Sequence, residues 1–166
     1  LLIRVRLPLF VLAVLVLQQT VMVGLKVHGA HPDVVLLLPI AAGLVAGPQM
    51  GAAVGFCVGF IYDLLLNTPF GLSAFTYGFV GLALGMLQTS VSRSAWWLAP
   101  FAAAVASAAG TLLYAAIGAL VGQSQMLHHN LVWIIVVVAA VNCALAGPAV
   151  RVMEWAFPKR TRVPSL

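Results

Sequence analysis

The chain has 166 residues, of which 63% are apolar and only 7% charged, with a net charge of +5 and a mean hydropathy of +1.13. Soluble domains carry about 25% charged residues, and so few polar groups could not build an exterior that stays dispersed in water. A soluble enzyme is therefore excluded, and so is a nucleic-acid-binding module, because the basic residues flank apolar runs instead of lining one face.

Lipid is the solvent that suits this composition, and residues 1–166 read as a single integral membrane domain. Crossing hydrocarbon takes about 20 apolar residues per helix, and six stretches reach or approach that length. The first is Leu7–Leu25, behind Arg4 and Arg6. It is long for the apolar core of a signal peptide and reads as a retained helix, with further residues expected ahead of Leu1. Pro32-Asp33 then forms a helix-start signature, with Asp33 as N-cap for the second stretch, Val34–Ala46. Gly47-Pro48-Gln49 is a tight turn, where Pro48 suits a helix start, and the third stretch runs over Gly51–Leu66. Asn67-Thr68-Pro69-Phe70-Gly71 turns the chain into the fourth, Phe70–Leu87. Trp96–Val121 and Leu131–Met153 complete the set. Pro39 and Pro100 are expected to kink their helices.

Residues 34–66 could instead form one helix, but at about 1.5 Å per residue it would be far too long for one crossing. Charge supplies an independent test. Of the eight Lys and Arg, six spans place Arg4, Arg6, Arg93, Arg151, Lys159, Arg160 and Arg162 on one side and Lys26 alone on the other. Five spans spoil that separation. The positive-inside rule thus selects an all-α polytopic protein with six transmembrane helices and both termini cytoplasmic. Trp96, Trp97 and Trp155 then fall at the inner interface and Trp133 at the outer one, where aromatic belts lie.

Gly43, Gly47, Gly51, Gly55 and Gly59 recur every four residues, and Asp63 takes the next rung. In the third helix, Gly51, Gly55, Gly59 and Asp63 share one face. Lipid supplies no hydrophobic drive between helices, so such a stripe allows close backbone approach to the second or fourth helix; a groove for a ligand or partner is the sharper reading. Asp63 is an acid well inside the spans, a candidate for function or assembly, with Gln18, Gln19, Tyr77 and Asn142 as possible partners. His28, His31, His128 and His129 fall in outer loops without a metal-site pattern, and Cys57 and Cys143 read as small packing residues. Neither a paired-carboxylate dyad, a Gly-x-Ser-x-Gly nucleophile nor a phosphate loop occurs. No catalytic residue, metal or cofactor is expected.

Pro32-Asp33-Val34-Val35-Leu36-Leu37-Leu38, followed by Gly47, Gly51, Gly55-Phe56, Gly59, Asp63 and Gly71-Leu72, resembles the bacterial rod shape-determining MreD family in order and spacing. The likeness is clearest over residues 32–85; the first helix and residues 96–166 match in hydropathy alone. It implies a fold similar to the six-helix substrate-binding subunits of energy-coupling-factor vitamin transporters. It further implies a non-enzymatic scaffold of the elongation complex in the bacterial plasma membrane, supporting regulation of peptidoglycan synthesis and cell shape. The partner implied is a bitopic protein of the MreC type, and through it MreB, RodA and a class B penicillin-binding protein. Pro32, Asp33, Gly51, Gly55, Phe56, Gly59, Asp63 and Gly71 are the positions carried onto a partner or ligand surface. The rival reading is a small-solute-binding subunit of a membrane transporter, with a concave outer pocket near Asp63.

Overall fold

The computed structural model describes residues 2–22, 32–65, 70–90, 97–122 and 131–157. Among them the regular structure is helical throughout: α1 (Leu2–Leu17), prolonged by a π-helical turn at Gln18–Met22, then α2 (Leu37–Ala46), α3 (Pro48–Leu65), α4 (Leu72–Ser90), α5 (Leu98–Leu120) and α6 (Leu131–Ala156). Helices α3, α5 and α6 are long and apolar enough to cross a membrane. Each predicted stretch corresponds to one helix, with boundaries shifted by a few residues.

The second stretch departs most from expectation. Its helix has only 10 residues, about 15 Å at the α-helical rise and half the roughly 30 Å of hydrocarbon. Residues Pro32–Val34 carry no regular structure and Val35–Leu36 form a turn, with the Leu37 amide on the Val34 carbonyl (3.0 Å) and the Leu38 amide on that of Val35 (3.1 Å). At its other end α2 stops at Gly47, whose φ of +89° suits glycine alone without strain. That single residue is the whole connection to α3. Pro48 opens α3 as its first residue, where a missing amide proton costs nothing. Gly71, with φ +92°, leads into α4 in the same way; the rest of that turn, Asn67–Pro69, lies outside the described residues, as do Trp96 and the four histidines.

Pro39 and Pro100 are each the third residue of a helix. A first-turn amide has no intrahelical acceptor to lose, so neither position forces the kink expected of it. Pro8 and Pro148 are the prolines inside helices.

Short α2 is the central rod of the bundle. It touches α3, α4, α5 and α6, and Val35, Ile40, Ala41 and Ala42 are completely buried. Helices α3 and α4 form one tight pair, α5 and α6 another, and α1 lies against α6.

Candidate functional site

The glycine ladder is a seam along which α3 meets both neighbours. A Cβ added at Gly51 would stand 2.8 Å from the Gly43 Cα, one at Gly55 2.8 Å from the Gly78 nitrogen, and one at Gly59 2.6 Å from the Ala74 Cα. Real Cβ atoms do not approach backbone so closely, so the helices touch main chain to main chain, as expected where dispersion must hold a bundle together. Helix α4 contributes glycines of its own. A Cβ at Gly85 would meet the Pro48 nitrogen at 2.5 Å, and one at Gly81 would run into the Gly51 main chain. Their four-residue spacing is the signal in the sequence that marks them, and the ladder in the third helix overshadows it.

Asp63 closes the end of this seam nearest the start of α4, and it is buried to 2% exposure. Its Oδ1 accepts the Ser73 amide (3.0 Å), and its Oδ2 accepts the amides of Gly71 (3.0 Å) and Ala74 (3.2 Å). A carboxylate from one helix thus caps the next. Negative charge here meets the positive end of the α4 dipole and its otherwise unbonded first amides. Side chains expected as partners of Asp63 are engaged elsewhere: Gln19 is exposed, while Gln18, Tyr77 and Asn142 gather around Asp33.

That second constellation surrounds the non-helical run before α2. The Gln18 amide straddles it, donating through Nε2 to the Pro32 carbonyl (2.8 Å) and accepting the Val34 amide on Oε1 (2.9 Å). Asp33 Oδ1 accepts the amides of Val35 (3.1 Å) and Leu36 (3.3 Å). These belong to the turn ahead of the helix, so Asp33 is not the N-cap expected of it. That position falls to Leu36, without a side-chain bond, because α2 starts only at Leu37. The Tyr77 hydroxyl donates to Asp33 Oδ2. Asn142 Nδ2 donates both to the Asp33 carbonyl (2.9 Å) and to Ser107 Oγ (2.8 Å). Gln18, Asn142 and Ser107 are all buried at 2% exposure or less. The Tyr62 ring stacks on that of Tyr77, with centroids 6.2 Å apart.

The physical reason for this cluster is the backbone. Main-chain groups that leave a helix inside an apolar bundle find no water, and each orphan costs several kcal/mol. Two other elements supply partners to this backbone, Gln18 of the π turn after α1 and Asn142 of α6, while Tyr77 of α4 holds the Asp33 side chain and Ser107 of α5 holds Asn142. Gln18 is the first residue of that π turn, a local widening that often re-aims a side chain at a functional position.

The predicted site residues therefore divide. Pro32 and Asp33 belong to the constellation before α2, Gly51, Gly55 and Gly59 to the seam, and Asp63 and Gly71 to the start of α4. Phe56 stands beside the seam with its ring turned outward, 56% exposed, stacked on Phe60 with centroids 6.4 Å apart. Phe60 in turn meets Phe70 edge-on at 5.4 Å. Sequence reasoning did not single out Ser107, whose hydroxyl is ordinary in an alanine-rich stretch. Asn142 and Gln18 do interrupt apolar runs, and that is a usable signal.

Close glycine seams, a cap supplied between helices and a side-chain-bonded break in the chain define, among the described residues, an all-helical protein built for the bilayer. Residues 1–153 match the family described as rod shape-determining protein MreD. The chain belongs to that family, and is thereby a rod-shape-determining membrane protein. Comparison with curated proteins and with solved structures returned no match.

Proposed function

We propose that this chain is a non-enzymatic, multi-pass scaffold of the bacterial cell-elongation complex. It crosses the plasma membrane six times with both termini cytoplasmic, in an architecture like that of the vitamin-transporter substrate-binding subunits. There it binds a bitopic partner of the MreC type, and through it reaches MreB, RodA and a class B penicillin-binding protein, supporting control of peptidoglycan synthesis and cell shape. Family membership and the distribution of basic residues support this reading. In it, α2 together with the irregular run Pro32–Leu36 makes up one crossing, since non-helical backbone is tolerated at membrane depth where protein surrounds it.

The observation that carries the partner surface is the two-faced α3. Its glycine side is consumed by α2 and α4, which fixes the helix rigidly and presents Phe56 and Phe60 outward at 56% and 41% exposure. Gly55 and Gly59 shape that surface from behind, and Asp33 and Asp63 set where α2 and α4 begin. The solute-binding alternative asks for convergent polar groups in a cavity. A groove of about 460 Å³ between α4 and α5 is lined by apolar side chains alone, including Leu84, Phe101, Ala106 and Leu113, and offers a polar solute no hydrogen bond.

The test is recovery of the MreC-type partner in detergent pull-downs from cells carrying Gly55→Leu, Gly59→Leu or Phe56→Ala. The expected result is loss of partner and rounded cells, with Phe56→Ala keeping the thermal stability of the parent. Undiminished recovery and normal rods in all three variants would sink the proposal.

A further inference from the structure

A second groove, about 190 Å³, runs between α1 and α6 with α2 behind it. Phe10, Val14 and Leu17 form one wall and Pro148, Ala149 and Val152 the other. No polar side chain enters it. Its inner end is different. Arg6 lies on the same face of α1 as Phe10, Val14 and Leu17, at i, i+4, i+8 and i+11. The Arg6 guanidinium sits 4.2 Å from the centre of the Trp155 ring and donates through Nη1 to the Trp155 carbonyl at 3.2 Å.

This geometry holds a cation at the mouth of an apolar slot. Stacking on indole fixes the guanidinium plane, and only one of its five N–H groups is used by Trp155. Arg151, exposed on α6, adjoins Val152 and lies one turn before Trp155, adding a second positive charge at the same corner. Glu154, the acid of α6, lies two positions from Val152 and so away from the groove wall. It is three positions from Arg151, whose charge it partly offsets, which leaves Arg6 as the stronger anchor. Lys159, Arg160 and Arg162 follow in sequence.

We propose that this groove holds an acyl chain of one anionic phospholipid, whose phosphate is taken by Arg6 and Arg151. The chemistry is two-part: a slot with no hydrogen-bonding side chain admits a hydrocarbon tail, and fixed guanidinium donors at its cytoplasmic end select a phosphate carrying net negative charge. A partner helix would fill the slot without needing the cations, and a soluble anion would need the cations without the slot. The proposal rests on α1 and α6 lying in the bilayer as described above.

Native mass spectrometry of the full chain in mild detergent, titrated with phosphatidylglycerol or phosphatidylcholine, provides the test. One phosphatidylglycerol per chain is expected, held roughly fivefold more tightly than phosphatidylcholine. Arg6→Gln should weaken phosphatidylglycerol by a similar factor and Arg151→Gln by less, each with little change for phosphatidylcholine. Ala149→Phe, which fills the slot, should weaken both lipids. Equal affinity for the two lipids overturns the inference. So does phosphatidylglycerol binding that survives both arginine replacements, or lipid retention untouched by Ala149→Phe. Arg151→Gln alters an exposed side chain and keeps the test sound if Arg6→Gln disturbs α1. Partner recovery by the same variants reports on the scaffold reading separately, so the two can fail independently.

Discussion

Asn142, midway along α6, donates its side-chain amide to the carbonyl of Asp33 at 2.9 Å, tying two positions 109 residues apart. The same nitrogen donates to Ser107 on α5, so one side chain joins the break before α2 to both members of the α5–α6 pair. Replacing it with leucine strands a buried carbonyl and a buried hydroxyl. Asn142→Leu is expected to lose about 1–2 kcal/mol, read as a lowered thermal midpoint in detergent. Ser107→Ala should cost less than about 0.6 kcal/mol, because the Asn142 amide keeps its bond to Asp33. A leucine variant as stable as the parent would show that the tie carries nothing.

Tyr77 and Asp33 form a pair whose strength depends on the carboxylate. Tyr77→Phe removes a donor from a charged acceptor and should cost about 1.5–3 kcal/mol. In an Asp33→Asn background the same change should cost at least about 1 kcal/mol less, since hydroxyl and amide are both neutral. Thermal unfolding of the four proteins gives the coupling energy directly; a value of zero contradicts a bond strengthened by the carboxylate, and a Tyr77→Phe variant as stable as the parent contradicts the bond itself.

Glycines of this chain are predicted to differ sharply in tolerance. Gly59→Ala drives a methyl group into the Ala74 main chain and should destabilise by about 1–3 kcal/mol. At Gly78 the nearest atoms to an added Cβ are 3.5 Å away, and at Gly147 nothing lies within 4 Å. Gly78→Ala and Gly147→Ala should therefore leave the thermal midpoint unchanged or raised, since alanine favours helix. The ranking across the three variants is the measurement, and a reversed order refutes the seam.

Asp63 accepts three backbone amides from the start of α4. Asparagine keeps one carbonyl oxygen, turns the other position into a donor that opposes an amide, and removes the charge at the helix N-terminus. Asp63→Asn is expected to cost about 1–2 kcal/mol, again as a lowered thermal midpoint. Stability equal to the parent would mean that those amides find other partners.

Much of the architecture was legible before any coordinates. Apolar run length marks where helices form because each crossing must satisfy its own backbone, and the Gly47-Pro48 pair punctuates the chain by dihedral preference alone. Glycine spacing of four marks a close-contact face since that period nearly matches the helix. The bonds from Asp33 to the next amides follow from its place one residue before an apolar run, although the helix itself starts three residues later than that place suggests. These are local matters, decided by neighbours in sequence.

What remained needed the tertiary structure. Residues 34–46 are apolar throughout, so nothing in them shows that helix begins only at Leu37; the turn before it is held by Gln18, Tyr77 and Asn142, which arrive from three distant segments. The same residues were plausible partners for Asp63 by polarity, yet Asp63 is satisfied by the backbone of its own next helix. Phe56 adjoins Gly55 in sequence yet is exposed while Gly55 is buried, since successive residues of a helix are turned about 100° apart. Hydrogen-bond pairing in a bundle depends on depth, rotation and which rods touch, and these are set jointly by six packed helices rather than by any one stretch of sequence.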